Sequence, residues 1–229
     1  TGNFAREGGA LSARGPAKVQ GSLFSLQQMT SSLDFGKGGA IHTTATMVIT
    51  NTNFLSNTHE GGNGGAIFAS APITISGGLF QNNRSRLGGL GQGGAVSAEN
   101  SLTVNNVEFR ANRAGGFGGA LSISTAGTLN VRFSTFAGNQ SGTFGGAIDA
   151  GRPTRIEFST FDANQSSAAG GAIDATFGGG DLIINGSDFT GNKAIGQNCD
   201  IPPAGCSGGS GGAISASPNL SVTATTFQD

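Results

Sequence analysis

The sequence predicts an all-β protein, a parallel β-helix of about eight coils with three short strands in each. Three observations carry that expectation. The 229-residue chain holds 42 Gly while only 11% of its residues are charged, against roughly 7% Gly and 25% charge in an average chain. A Gly-Gly-Ala-aliphatic tetrapeptide begins at Gly8, Gly38, Gly64, Gly93, Gly118, Gly145, Gly170 and Gly211. A Phe follows each copy, at Phe24, Phe54, Phe80, Phe109, Phe136, Phe161, Phe189 and Phe227, and in six of the eight it lies 16 residues after the first Gly. Each glycine costs a helix about 1 kcal/mol relative to Ala, so a helical fold is excluded, and a fixed period points to stacked repeats.

The first strand surrounds the aliphatic residue of each tetrapeptide: Leu11, Ile41, Ile67, Val96, Leu121, Ile148, Ile173 and Ile214. The second is marked five residues before each Phe by Val19, Ile49, Ile75, Val104, Val131, Ile156, Ile184 and Val222, all β-branched, with a mostly apolar residue two positions earlier. The third surrounds the Phe itself. Period-two alternation of this kind is a strand signal, and the intervening Gly, Asn and Ser mark corners. No three-strand unit buries its own core, so the units must stack, each strand against its copy in the next coil. Small residues two before the Phe, such as Ser22, Thr52, Ser134, Ser159 and Ser187, fit an inward position beside the ring. Three residues after the Phe stand Asn57, Asn83, Asn112, Asn139, Asn164 and Asn192, with Gln27 in the first copy. A corner Asn in every coil can bond to its neighbours above and below, which predicts a structural ladder.

Composition also bounds function. A net charge of −1 gives no electrostatic reason for a nucleic-acid partner, and no apolar run approaches the ~20 residues of a membrane helix. His42 and His59 have no partners at ligand spacing, and no cofactor is expected.

The paired Gly-Gly-Ala-Ile and Phe-x-x-Asn motifs, running from Gly8 to Phe227, resemble the repeats of the polymorphic membrane proteins of chlamydiae and their bacterial relatives. The resemblance implies a right-handed β-helical passenger of an autotransporter-like protein, displayed on the cell surface or outer membrane, or secreted, and often used in adhesion. The chain, 1–229, is expected to be one β-helix domain and a section of a longer protein, because both ends fall within a repeat. Membrane attachment would then lie in regions outside it.

Departures from the repeat are where binding is expected. Three corners are enlarged, at 25–37, 81–92 and 190–210, all at the same point of the coil. Insertions of this kind commonly gather on a binding face, and surface loops also tolerate them at little cost. The third corner holds the two cysteines, Cys199 and Cys206, whose close spacing in a Pro/Gly loop predicts a local disulfide rather than a metal site, in keeping with an extracytoplasmic location. Arg84, Arg86, Arg110 and Arg113 cluster around the third and fourth corners, suited to an anionic glycan or a protein carboxylate or to plain solvation. The residue after each tetrapeptide should point outward, which puts Asp149 and Asp174 side by side in consecutive coils. A solvated acidic pair is the expectation; Ca²⁺ binding and acid–nucleophile catalysis on a glycosidic bond are the alternatives.

The functional expectation is therefore a non-enzymatic surface or secreted scaffold. Its partners would be a host or neighbouring cell-surface protein or glycan, or a second copy through the solenoid ends. A polysaccharide-cleaving enzyme using Asp149 and Asp174, and an accessory subunit of a larger assembly, are the rivals.

Overall fold

In a computed structural model, residues 7–29, 37–86, 90–124, 127–151, 153–176, 180–196, 209–217 and 219–229 are described. Every strand among them belongs to a parallel solenoid of four sheets, three of eight strands and one of seven, and each sheet takes its strands from successive coils in sequence order. In the coil that starts at Gly145 the four strands are Ile148–Ala150, Thr154–Glu157, Thr160–Asp162 and Gln165–Ser166. Repeat positions pair in register, Phe109 with Phe136 and Phe136 with Phe161, for example.

The fourth sheet corrects the three-strand expectation. Its strands, such as Gln28–Met29, Arg84–Ser85 and Lys193–Ala194, are two residues long and directly follow the Asn corner. Those three pairs were assigned to enlarged loops. Alternation is invisible in two residues, so the pattern that exposes longer strands had nothing to act on.

Three inward columns build the core. Aliphatic stacks from the first and second sheets, including Ile148, Ile156 and Ile184, are fully buried. The Phe column runs through all eight rings from Phe24 to Phe227, with consecutive centroids between 4.5 Å and 5.1 Å apart. A buried aromatic contributes about 2–3 kcal/mol through burial, and each ring pair adds about 0.5–1.5 kcal/mol.

The Asn column is a closed hydrogen-bond chain. Asn112 Nδ2 donates to Asn139 Oδ1 at 3.0 Å and to the Phe80 carbonyl at 2.9 Å. Asn112 Oδ1 accepts from both the backbone N–H and Nδ2 of Asn83, each at 3.0 Å. The same links join Asn57 to Asn83, Asn139 to Asn164 and Asn164 to Asn192. Both donors of each interior amide and two acceptor positions are used. A second, shorter ladder of hydroxyls runs beside it: Val107, Ser134 and Ser159 N–H groups donate to Ser134, Ser159 and Ser187 Oγ.

The glycine pair is explained by two different constraints. Gly145 sits at φ +61°, where a Cβ would meet the Ile148 carbonyl oxygen; Gly146 has no room for a Cβ because the Gly171 carbonyl of the next coil lies against it. One residue turns the chain and the other lets coils approach.

Asn112→Ala removes the partners of the Asn83 backbone N–H, the Asn83 amide and the Phe80 carbonyl at once. At about 1–3 kcal/mol for each buried polar group left unpaired, the variant should lose about 3 kcal/mol or more, measured as a lowered urea-unfolding midpoint.

Candidate functional site

Strand alternation turns the residue after each Gly-Gly-Ala-aliphatic tetrapeptide away from the core, and the structure holds Ser122, Asp149, Asp174 and Ser215 in one register-paired column. Solvation does not follow. His42, Phe68, Ser97, Ser122 and Asp174 are all buried, and Asp149 is half-buried. The expected solvated acidic pair is thus corrected. Residues just ahead of the glycine pairs make their own bridges, Gln92 to Phe117 and Phe144 to Ala169 to Ser210, and Gln92, Phe117 and Phe144 roof the part of the column that holds Ser122 and Asp149.

Under that roof, Phe117, Phe144, Gln92, Ile123, Ser122 and Asp149 line much of a pocket of about 320 Å³. The two rings stack with centroids 5.7 Å apart. Ser122 Oγ donates to Asp149 Oδ2 at 3.1 Å. Thr176 donates to Asp174 Oδ2 from its hydroxyl at 2.8 Å and its N–H at 3.3 Å, while Asp174 Oδ1 is enclosed. Burial pushes the Asp149 carboxyl up to about 7, the adjacent Asp174 charge adds to the rise, and Ser122 opposes it. Asp174 is raised too, by burial, against Thr176 and the Ser215 hydroxyl.

This geometry weighs on both alternatives for the pair. Cleaving a glycosidic bond with two carboxyls needs both at the sugar, and Asp174 has no exposed surface. Calcium takes six to eight oxygens, and among the described residues no group of three or more His, Cys, Asp or Glu is placed to hold a metal ion.

Three of the four arginines come together. Arg84 and Arg113 are register partners on the outer side of the fourth sheet, and Arg86 follows Arg84 at the rim of the same depression as Gln28 and Glu60. Arg110 stands apart at the end of a third-sheet strand, paired with Glu108 at 2.8 Å. Cys199 and Cys206, with most of the third enlarged corner, lie outside the described residues.

The sequence reading missed one site. At the corner between the second and third sheets the chain always turns through a left-handed residue, among them Gly21, Asn51, Asn106 and Gly186, but in two consecutive coils that residue is Phe133 or Phe158, each at φ +49°. Their rings stack at 5.4 Å and remain 54% and 47% exposed. The Arg132 guanidinium lies 5.4 Å from the Phe133 ring centre, held by Glu157 at 3.1 Å, which also binds Arg155 at 2.7 Å. The signal was present: Phe-x-x-Phe occurs at 133–136 and again at 158–161, and only the second ring of each belongs to the core.

Residues 186–217 match the family model of the Chlamydia polymorphic membrane protein repeat. That segment contains Phe189, Asn192 and the Gly211–Ile214 tetrapeptide, the same pairing that recurs along the chain, and the parallel solenoid is consistent with the family. No curated protein and no solved structure matches the chain.

With its carboxyl raised from the ordinary 3.8 to about 7, Asp149 holds its proton in the folded state over a range where the unfolded chain has released it. Stability should therefore fall as pH rises from about 4 to about 7. Asp149→Asn should flatten that slope and melt higher than the wild type at pH 8, as thermal unfolding across the pH range would show.

Proposed function

We propose that this chain is part of a surface-displayed, non-enzymatic passenger whose solenoid is a scaffold for adhesion. The repeat match and the β-solenoid support a surface-protein passenger. Adhesion rests on one observation: the stacked Phe133–Phe158 pair with Arg132 beside it. A bulky side chain in the left-handed region costs roughly 1–2 kcal/mol, and Asn or Gly fills the same corner in most other coils. Two exposed rings kept there at that cost, next to an arginine, have the composition of a binding hot spot. An exposed aromatic face suits a protein partner or the apolar face of a sugar. The unpaired Arg84, Arg86 and Arg113 on the fourth sheet give a second contact for carboxylate or sulfate groups.

A variant borrowed from the column itself separates binding from folding. Phe133→Asn with Phe158→Asn should keep unfolding stability within about 1 kcal/mol of wild type, since relieved strain offsets the lost ring pair. Binding of the chain, immobilised on beads, to intact partner cells should drop at least tenfold. Undiminished binding by the double variant would remove the aromatic corner from the proposal. Labelling of intact source cells with an antibody to this chain tests surface display.

A further inference from the structure

A carboxylate taken out of water is stable only where a cation or several donors meet it. Asp149 meets one donor, the Ser122 hydroxyl. Its register partner Asp174, on the same side of the sheet, is buried beside it. Among the described residues, no Lys, Arg or His lines the pocket into which Asp149 opens; its wall is Phe117, Phe144 and Ile123, with Gln92 at one end. Two carboxyls in neighbouring coils and an apolar wall, with no cation among the described lining residues, make a site that a cation would complete.

We infer that this pocket binds a primary alkylammonium group, with the ammonium on Asp149 and the alkyl stem along Phe117, Ile123 and Phe144. The ligand class follows from the contacts. A compact ammonium has three donors, and the Asp149 carboxylate and the Ser122 oxygen, joined by their own hydrogen bond, accept side by side. One carboxylate oxygen is already held by Ser122, so the two-pronged approach of a guanidinium is less well matched than a point charge. The phenyl rings face each other across 5.7 Å, a wall suited to methylene groups. Asp174 lies behind the site and adds to the negative potential. None of the other described lining residues titrates, so binding follows the ionisation of Asp149 and strengthens as pH rises through about 7. The same chemistry arrives on a lysine side chain of a partner protein or on a free small amine.

The test is an NMR titration of the 229-residue chain, observing the phenylalanine ring signals, with butylammonium chloride at pH 8. The neutral isostere 1-butanol and tetramethylammonium chloride are run in parallel. Saturable shifts are expected with butylammonium, at least tenfold tighter than with either control, and weaker by a similar factor at pH 5. Asp149→Asn should weaken butylammonium binding roughly tenfold or more, as loss of a charge-assisted bond does. Asp149→Ser, which places in the column the residue found at Ser97, Ser122 and Ser215, should do the same while melting cooperatively. A blocked Gly-Lys-Gly peptide and its Nε-acetylated form then separate the sources: selective binding of the unmodified peptide assigns the site to a protein lysine, and binding of butylammonium alone to a free amine. Equal affinity for butanol, no saturable shift with butylammonium, or unchanged affinity in both Asp149 variants would overturn the inference. Loss of adhesion through Phe133 and Phe158 involves other residues and leaves this result untouched.

Discussion

The buried asparagine chain is the constraint from which the rest of the solenoid follows. An amide that donates to its copy in the next coil must meet that copy at about 3 Å, every coil, with no tolerance for a slipped register. Aliphatic columns alone do not impose this, because dispersion is weakly directional and a stack of Ile and Val can slide. The second donor of each Asn grips the carbonyl of the core Phe one coil back. Polar corner and aromatic column are thereby set by a single side chain. Rings held at that spacing stack, and the coils come close enough that only glycine fits at positions such as Gly146.

A consequence is a division of labour between the two sides of each strand. Inward positions are uniform because each must match its copies above and below. Outward positions have no such partner and vary freely, as the second-sheet column Lys18, Val48, Thr74, Thr103, Asn130 and Arg155 illustrates. Specific chemistry can therefore be written on the outside of one or two coils without disturbing the stack. The roofed column is the exception: it points away from the core yet is closed from solvent, so polar groups placed there carry a desolvation cost that ordinary surface residues escape.

What the amino-acid pattern made legible, and what it did not, divides along the same line. Positions repeated in every coil announce themselves: the glycine pair, the aliphatic residue after it, the Phe and the Asn all sit where periodicity puts them. The fourth sheet was hidden because two residues cannot show a period. The burial of Asp174 was hidden because alternation reports direction and says nothing of what lies beyond. Phe133 and Phe158 were hidden in another way. A Phe-rich repeat invites every Phe into the core, and only the φ of the corner shows that these two cannot enter it.

The departures from regularity are not scattered. Phe117, Phe144, Asp149 and Asp174 on one side, and Arg132, Phe133, Glu157 and Phe158 on another, fall in neighbouring coils. In a stack whose stability is a sum of nearest-neighbour terms, a strained corner or a desolvated carboxyl is supported by an interface above and another below. Such side chains still cost the coils that carry them stability, which argues that they are retained for what they contact.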